Sequence, residues 1–227
     1  MDTFNMLAFV VYPYLALTIF VVGHPYRYFT DPYNWNSKSS ELLDKDSLKY
    51  GITIFHWGII VTFLGHLSGL LTPQYILDAV GINAEIHDFV AIAVGIVVGS
   101  LAFVGLILLL SRRLTRRRIF AHTSTNDFVT LALLLFVVTA GLYNALFGGY
   151  GTSGLYTVAP WIRGVLTLTP DPNLMVNVPW TYKVHILGAL TLLGFSPFSR
   201  LVHIWSAPFP YLIRSYIVFR RRVAELL

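Results

Sequence analysis

A chain of 227 residues is the size of one or two soluble domains, yet 56% of it is hydrophobic and only 12% charged. That is about half the charged share of a soluble protein, too little to cover a soluble surface. The mean hydropathy is +0.66, and several uncharged stretches exceed the roughly 18 residues that cross a bilayer, so the expected class is an all-α integral membrane protein. Cysteine is absent, which excludes disulfides, Cys-ligated zinc, iron–sulfur clusters and thioether-linked haem. Seven His and three Met are the soft or borderline metal ligands that remain.

Five spans are predicted in chain order, at about 3–23, 51–71, 88–111, 128–147 and 181–203. The first lies in an uncharged run with only Asp2 ahead of it; it lacks the basic start of a cleavable signal and reads as a retained helix. The second is stopped by Thr72-Pro73. The fifth contains Lys183 and has Pro197 inside it. Of the 16 positive residues, 14 fall in the 24–50 connection, the 112–118 connection and the segment from Arg200 onward; the other side holds only Arg163 and Lys183. The positive-inside rule then puts the N-terminus outside and the C-terminus in the cytoplasm, which needs an odd number of spans. A net charge of +5 reflects this placement, and no nucleic-acid partner is expected. Pro160–Leu168, in the long outer connection, reads as a short amphipathic helix on the membrane surface, and residues 205–227 as a cytoplasmic tail.

Ionisable groups inside spans point to function by default. His56 and His66 share span two, and His185 and His203 lie at the two ends of span five. Because these spans run in opposite directions, depth pairs His66 with His185 near the outer face and His56 with His203 near the inner face. Two imidazoles facing each other across a bundle are the axial ligation of a b-type haem, and two pairs make a diheme. Carboxylates that would share a metal are missing from these spans, which argues against a di-iron or zinc centre. The spacing is uneven. At a rise of about 1.5 Å per residue, His56 and His66 are about 15 Å apart, whereas His185 and His203 would be about 27 Å apart on a straight helix; a bend at Pro197 is required. Gly58, Gly65, Gly69 and Gly188 either admit flat macrocycles or serve plain helix packing. His24 and His122 read as solvated or structural. His87, beside Asp88 and level with His66, is either a helix-start residue or a proton acceptor at an outer quinol site. A His relay in a transporter is the competing class, told apart by the absence of haem colour.

The chain resembles the gamma subunit of respiratory nitrate reductase. The resemblance is carried by YPYLALTIFVVGHPYRY at Tyr12–Tyr28, SSELLD at Ser39–Asp44, FHWGIIVTFLGHLSGLLTP at Phe55–Pro73, SRRL at Ser111–Leu114 and YKVHILGALTLLGFSPFSRLVHIWSAPFPYL at Tyr182–Leu212. It implies five spans, a multi-pass place in the prokaryotic cell membrane, and two haems b on these same four His. It further implies a quinol site around Gly65 and His66; the chain departs from the family in having His87 where some members carry Lys. A His that binds iron through one nitrogen keeps the other for a hydrogen bond, so His66 is expected to serve both haem and quinol. Arg113, in the SRRL match, is implied as a haem propionate partner. The implied partners are an iron–sulfur beta subunit and a molybdenum-containing alpha subunit in the cytoplasm, docked through the 24–50 connection and the tail. Related cytochromes b of heterodisulfide- and sulfite-reductase systems are the alternative within the same class.

Overall fold

The computed structural model describes residues 3–36, 44, 46–148 and 154–205; most of the tail and of Ser39–Asp44 lies outside them. Among the described residues the chain is all-helical, with no strand. Helix α1 is Thr3–Thr30, α2 Asp46–Leu71, α3 Gln74–Ala79, α4 Ala84–Thr115, α5 Arg117–Ala121, α6 Thr125–Phe147, α7 Ala159–Leu166 and α8 Trp180–Phe195. Four of them, α1, α2, α4 and α6, are long and apolar enough to cross a membrane.

These four overrun the predicted apolar limits because hydrogen-bonded helix continues where the apolar stretch stops. Polar caps set the true ends. Asn83 accepts the Ile86 N–H at 2.9 Å to open α4. Ser124 and Asp127 form a reciprocal capping box at the start of α6. Arg27 and Asp31 pair one turn apart, at 3.0 Å, where α1 ends.

The fifth predicted span departs from a single helix. Its α-helical part is the 16 residues of α8, about 24 Å long, followed by tight turns at Ser196–Phe198 and Arg200–Ile204. The cause is local. Pro197 has no N–H for the Leu193 carbonyl four residues back, and the Ser196 hydroxyl donates to that carbonyl at 2.6 Å. Ser199 is extended between the two turns. The break is braced from both sides: Arg27 donates to the Pro197 carbonyl, and Asn126 to that of Phe198.

Packing runs α2 on α4, α4 on α6, α6 on α8 and α8 on α1. The α2–α4 crossing is close because both helices present glycine there: a Cβ on Gly105 would lie 2.5 Å from the Phe55 backbone nitrogen, and one on Gly58 2.5 Å from that of Ala102. The predicted Pro160–Leu168 helix is found as α7, but Trp161 and Val165 bury its apolar side in the core formed with α1 and α8. The Trp161 indole donates to the Phe9 carbonyl at 2.8 Å, which lies in a π-helical turn at Leu7–Val11 where the regular α ladder is interrupted. Arg163 on α7 donates to the carbonyls of Leu70 and Thr72 at 3.0 and 3.2 Å, closing the C-terminal end of α2.

Volume at the α2–α4 crossing is tightly constrained. Gly105→Val is expected to destabilise the protein by about 1–3 kcal/mol through overpacking, whereas Gly95→Ala, whose Cβ would meet Ala145 at an ordinary 3.8 Å, should be neutral. Thermal unfolding of the detergent-solubilised protein compares the two.

Candidate functional site: two imidazole pairs

The fold brings together the pairs expected from depth. His56 and His203 have ring centroids 6.0 Å apart, with ring planes at 65°. His66 and His185 are likewise 6.0 Å apart, with planes at 38°. The break after α8 removes the spacing mismatch, because the turn at Arg200–Ile204 carries His203 on a new direction instead of along the α8 axis. Helices α2 and α8 are not among the closely packed pairs, so the imidazoles meet between helices that do not pack tightly on each other.

Each imidazole is oriented by one hydrogen bond. Nδ1 of His56 lies 2.8 Å from the Ile52 carbonyl, and Nδ1 of His66 2.8 Å from that of Thr62, each one turn back on α2. Nδ1 of His185 is 3.0 Å from the Val137 carbonyl on α6. Nδ1 of His203 is 2.7 Å from the Arg200 carbonyl. A carbonyl can only accept, so Nδ1 carries the proton in all four rings and Nε2 keeps its lone pair. This is the tautomer that a metal-ligating imidazole adopts. Two metal–imidazole bonds of about 2 Å, with roughly 1 Å more from each nitrogen to its ring centre, give about 6 Å between trans imidazoles. The observed separation fits an iron held between each pair. No group of three or more His, Cys, Asp or Glu that could hold a bare metal ion occurs among the described residues.

The helix-packing use expected of the glycines is seen at two of them. Gly58 meets the α4 backbone, and Gly188 meets Phe136 on α6, where a Cβ would lie 2.7 Å from its ring; both serve helix packing. A Cβ on Gly65 would meet no neighbouring element among the described residues within 4 Å, and Gly65 flanks His66 on an exposed surface. A groove lined by Ile52, Thr53, His56, Trp57 and Ile60 runs along α2 beside the other pair. Gly141 was not singled out in sequence, yet a Cβ there would sit 2.8 Å from His185. A glycine on the helix that also supplies the Val137 carbonyl is the seat of that ring. The only sequence signal was a small residue inside an apolar run.

His87 lies against α2 at the level of His66. A Cβ on Gly69, one turn beyond His66, would be 3.3 Å from its Nε2. Its Nδ1 is 3.2 Å from Asp88 Oδ1, so the carboxylate accepts and Nε2 is left as the basic nitrogen. Helix α4 begins at Ala84, which sets His87 inside the first turn and not at the cap. The Nδ1 of His66, by contrast, is already engaged by Thr62, leaving it without a proton or a lone pair for a further partner. Arg113 sits 3.3 Å from Asp127 and donates to the Thr123 hydroxyl at 3.2 Å. His24, expected to be solvated, is buried, with Nε2 3.2 Å from the Ser196 hydroxyl; α1 continues past Gly23 and carries it against the break after α8. His122 is exposed, as expected, and bonded to its own helical turn.

The family profile described as nitrate reductase gamma subunit matches residues 5–222. The nitrate reductase gamma chain of Bacillus subtilis (strain 168) is 41% identical over 215 residues, 93% of this chain and 96% of the relative. The respiratory nitrate reductase 1 gamma chain of Escherichia coli (strain K12) is 34% identical over 225 residues, 98% of this chain and all of the relative. More distantly, the Hdr-like menaquinol oxidoreductase cytochrome b-like subunit of Archaeoglobus profundus is 22% identical over 162 residues, 68% of this chain and 47% of the relative.

Gly141→Ala should unseat His185, with an overpacking cost of about 1–3 kcal/mol, and would alter only a metal centre bound between His66 and His185. Low-spin electron paramagnetic resonance, with the signals assigned by His66→Ala and His203→Ala, reads the selectivity.

Proposed function

Because the chain belongs to the nitrate reductase gamma-subunit family, a membrane cytochrome b component of an oxidoreductase complex, we propose that it is the diheme quinol-oxidising subunit of a respiratory nitrate reductase. The observation that carries this reading is the meeting of four His from distant segments as two pairs, each at 6.0 Å and each ring with Nδ1 turned to a main-chain carbonyl. His56 and His203 would hold the inner haem b, and His66 and His185 the outer one. When bound, these groups would supply one-electron transfer across the membrane.

The proposed topology is five spans, with α8 and the turns after it as the fifth, the N-terminus outside and the C-terminus in the cytoplasm of a prokaryotic cell. Contacts within the chain support one shared end for the basic segments. Arg112 donates to the Asp44 carbonyl at 2.6 Å, Arg116 lies 3.7 Å from the Asp44 carboxylate, and Arg200 pairs with Asp127. That end would face the iron–sulfur beta and molybdenum-containing alpha subunits. The two cations assigned to the other face are spent within the chain: Arg163 on the end of α2, and Lys183 on the Val176 carbonyl at 3.1 Å. Arg113 is the proposed partner of an inner haem propionate; a guanidinium has five donors, and among the described residues its Nη1 serves Thr123 and Asp127.

Quinol would be oxidised on the outer side, bordered by Gly65, His66 and His87. A quinol that gives up two electrons must also release two protons, and a base within hydrogen-bond reach lowers the barrier to that release. His87 is the base of choice. Asp88 holds its Nδ1–H and would stabilise the imidazolium formed on proton uptake. His66 contributes as a wall of the site, because its Nδ1 is committed to Thr62. The menaquinol oxidoreductase named among the relatives supports a quinol as reductant.

Two measurements test this reading. Replacing either His66 or His185 by Ala should abolish one and the same haem signal, and replacing either His56 or His203 the other, in a purified complex whose pyridine haemochrome gives two haems per chain; cross-pairing, or a single haem, would refute the assignment. His87→Ala should lower quinol oxidation by roughly 10²-fold, the lower range for loss of a general base, with both haems retained. Unchanged turnover would leave His87 a residue of the first turn of α4.

A further inference from the structure

Asp127 stands at a junction that the proposed electron transfer does not explain. It is only 4% exposed, in the first turn of α6, and the Ser124 N–H donates to its Oδ2 at 2.9 Å. The capping box therefore fixes where the carboxylate points. Arg200 meets it with two parallel bonds, Nη2 to Oδ2 at 2.6 Å and Nε to Oδ1, the bidentate fork that gives a charge pair directional rigidity. Arg113, from the last turns of α4, lies 3.3 Å from the same carboxylate. One buried anion thus ties together α4, α6 and the turn at Arg200–Ile204.

We propose that Asp127 is a positioning residue for the His56–His203 pair: acting through Arg200, its carboxylate sets the angle at which His203 faces His56. This rests on the reading of the four His as axial ligands.

The other three imidazoles have rigid supports. His56 and His66 are held within the 26 residues of α2, and His185 is seated on Gly141 and the Val137 carbonyl of α6. His203 lies beyond the Pro197 break, on a turn of five residues that does not continue α8. Its ring is oriented by the carbonyl of Arg200, 2.7 Å from Nδ1. The residue that aims His203 through its main chain is therefore the one whose side chain is clamped by Asp127. A buried ion pair adds little net stability over an apolar replacement, but a fork against a capped carboxylate fixes the direction of the turn.

The test uses the full-length chain in its purified complex, with the signal of the His56–His203 centre identified as the one lost in His203→Ala. Arg200→Gln removes the fork and leaves the Ser124–Asp127 capping box intact; Asp127→Asn keeps a capping oxygen and removes the charge. In both, the electron paramagnetic resonance signal and the redox titration of the His56–His203 haem are expected to shift, or haem content to fall by up to half. The His66–His185 signal should stay at its original position. Arg200→Lys, which keeps the charge without the fork, should not restore the original signal. An unshifted His56–His203 signal in Arg200→Gln would overturn the inference, as would equal loss of both signals, which would make the cluster a general support of the bundle. Absence of haem from the unsubstituted complex would instead overturn the diheme reading on which the inference rests.

Discussion

The hydrogen bond from an imidazole Nδ1 to a main-chain carbonyl is the interaction on which the rest of this structure turns. In an apolar setting an unpaired N–H is costly, so a histidine in a membrane helix must find an acceptor. Four of them do so at 2.7 to 3.0 Å, on Ile52, Thr62, Val137 and Arg200. Satisfying the donor also settles the tautomer, with the four rings standing as two pairs at 6.0 Å. The contact that makes a histidine tolerable in apolar surroundings is therefore the one that would ready it as a ligand. A reading of each histidine as merely satisfied by its backbone, and a reading of it as an axial ligand, describe opposite sides of the same ring.

The imidazoles can face each other only because the helices that bear them are kept apart. Helix α2 is drawn onto α4 by backbone contact at Gly58 and Gly105, and α8 onto α6 by Gly188 against Phe136. These close approaches, favoured where small residues let membrane helices meet, make α4 and α6 the spine of the bundle. Helices α2 and α8 lie on either side of that spine and address each other through side chains. Glycine here works in three ways: as a crossing point at Gly58 and Gly105, as a ring seat at Gly141, and as an open surface at Gly65.

Charge is distributed by a related economy. Arg163 and Lys183, far from the main basic clusters, are absorbed by carbonyls at helix and loop ends, where a cation also suits the helix dipole. The other end gathers Asp44, Arg112, Arg113, Arg116, Asp127 and Arg200 into connected pairs. A basic residue that fixes orientation in the membrane and one that braces a turn are the same kind of residue in the sequence, and their partners alone distinguish them.

The membrane class, the approximate place of the apolar runs and the pairing of His66 with His185 and His56 with His203 were legible in the amino-acid sequence. Bilayer thickness converts directly into a count of uncharged residues, and alternation of direction converts sequence position into depth. The α7 helix was legible for the same reason, as an apolar stripe, although whether that stripe met lipid or protein depended on Trp161 finding the Phe9 carbonyl. Tertiary structure alone decided the rest. The spacing between His185 and His203 is closed by a break whose bracing comes from Arg27, Asn126 and Asp127, residues far away in the chain. The burial of His24 follows from how far α1 continues past its apolar run. The seat at Gly141 exists only because α6 and α8 pack there. Local composition reports the free energy of leaving water, which each segment carries by itself; direction, tautomer and contact depend on which carbonyl, carboxylate or glycine another segment brings within 3 Å or so, and that is fixed only when the helices are assembled.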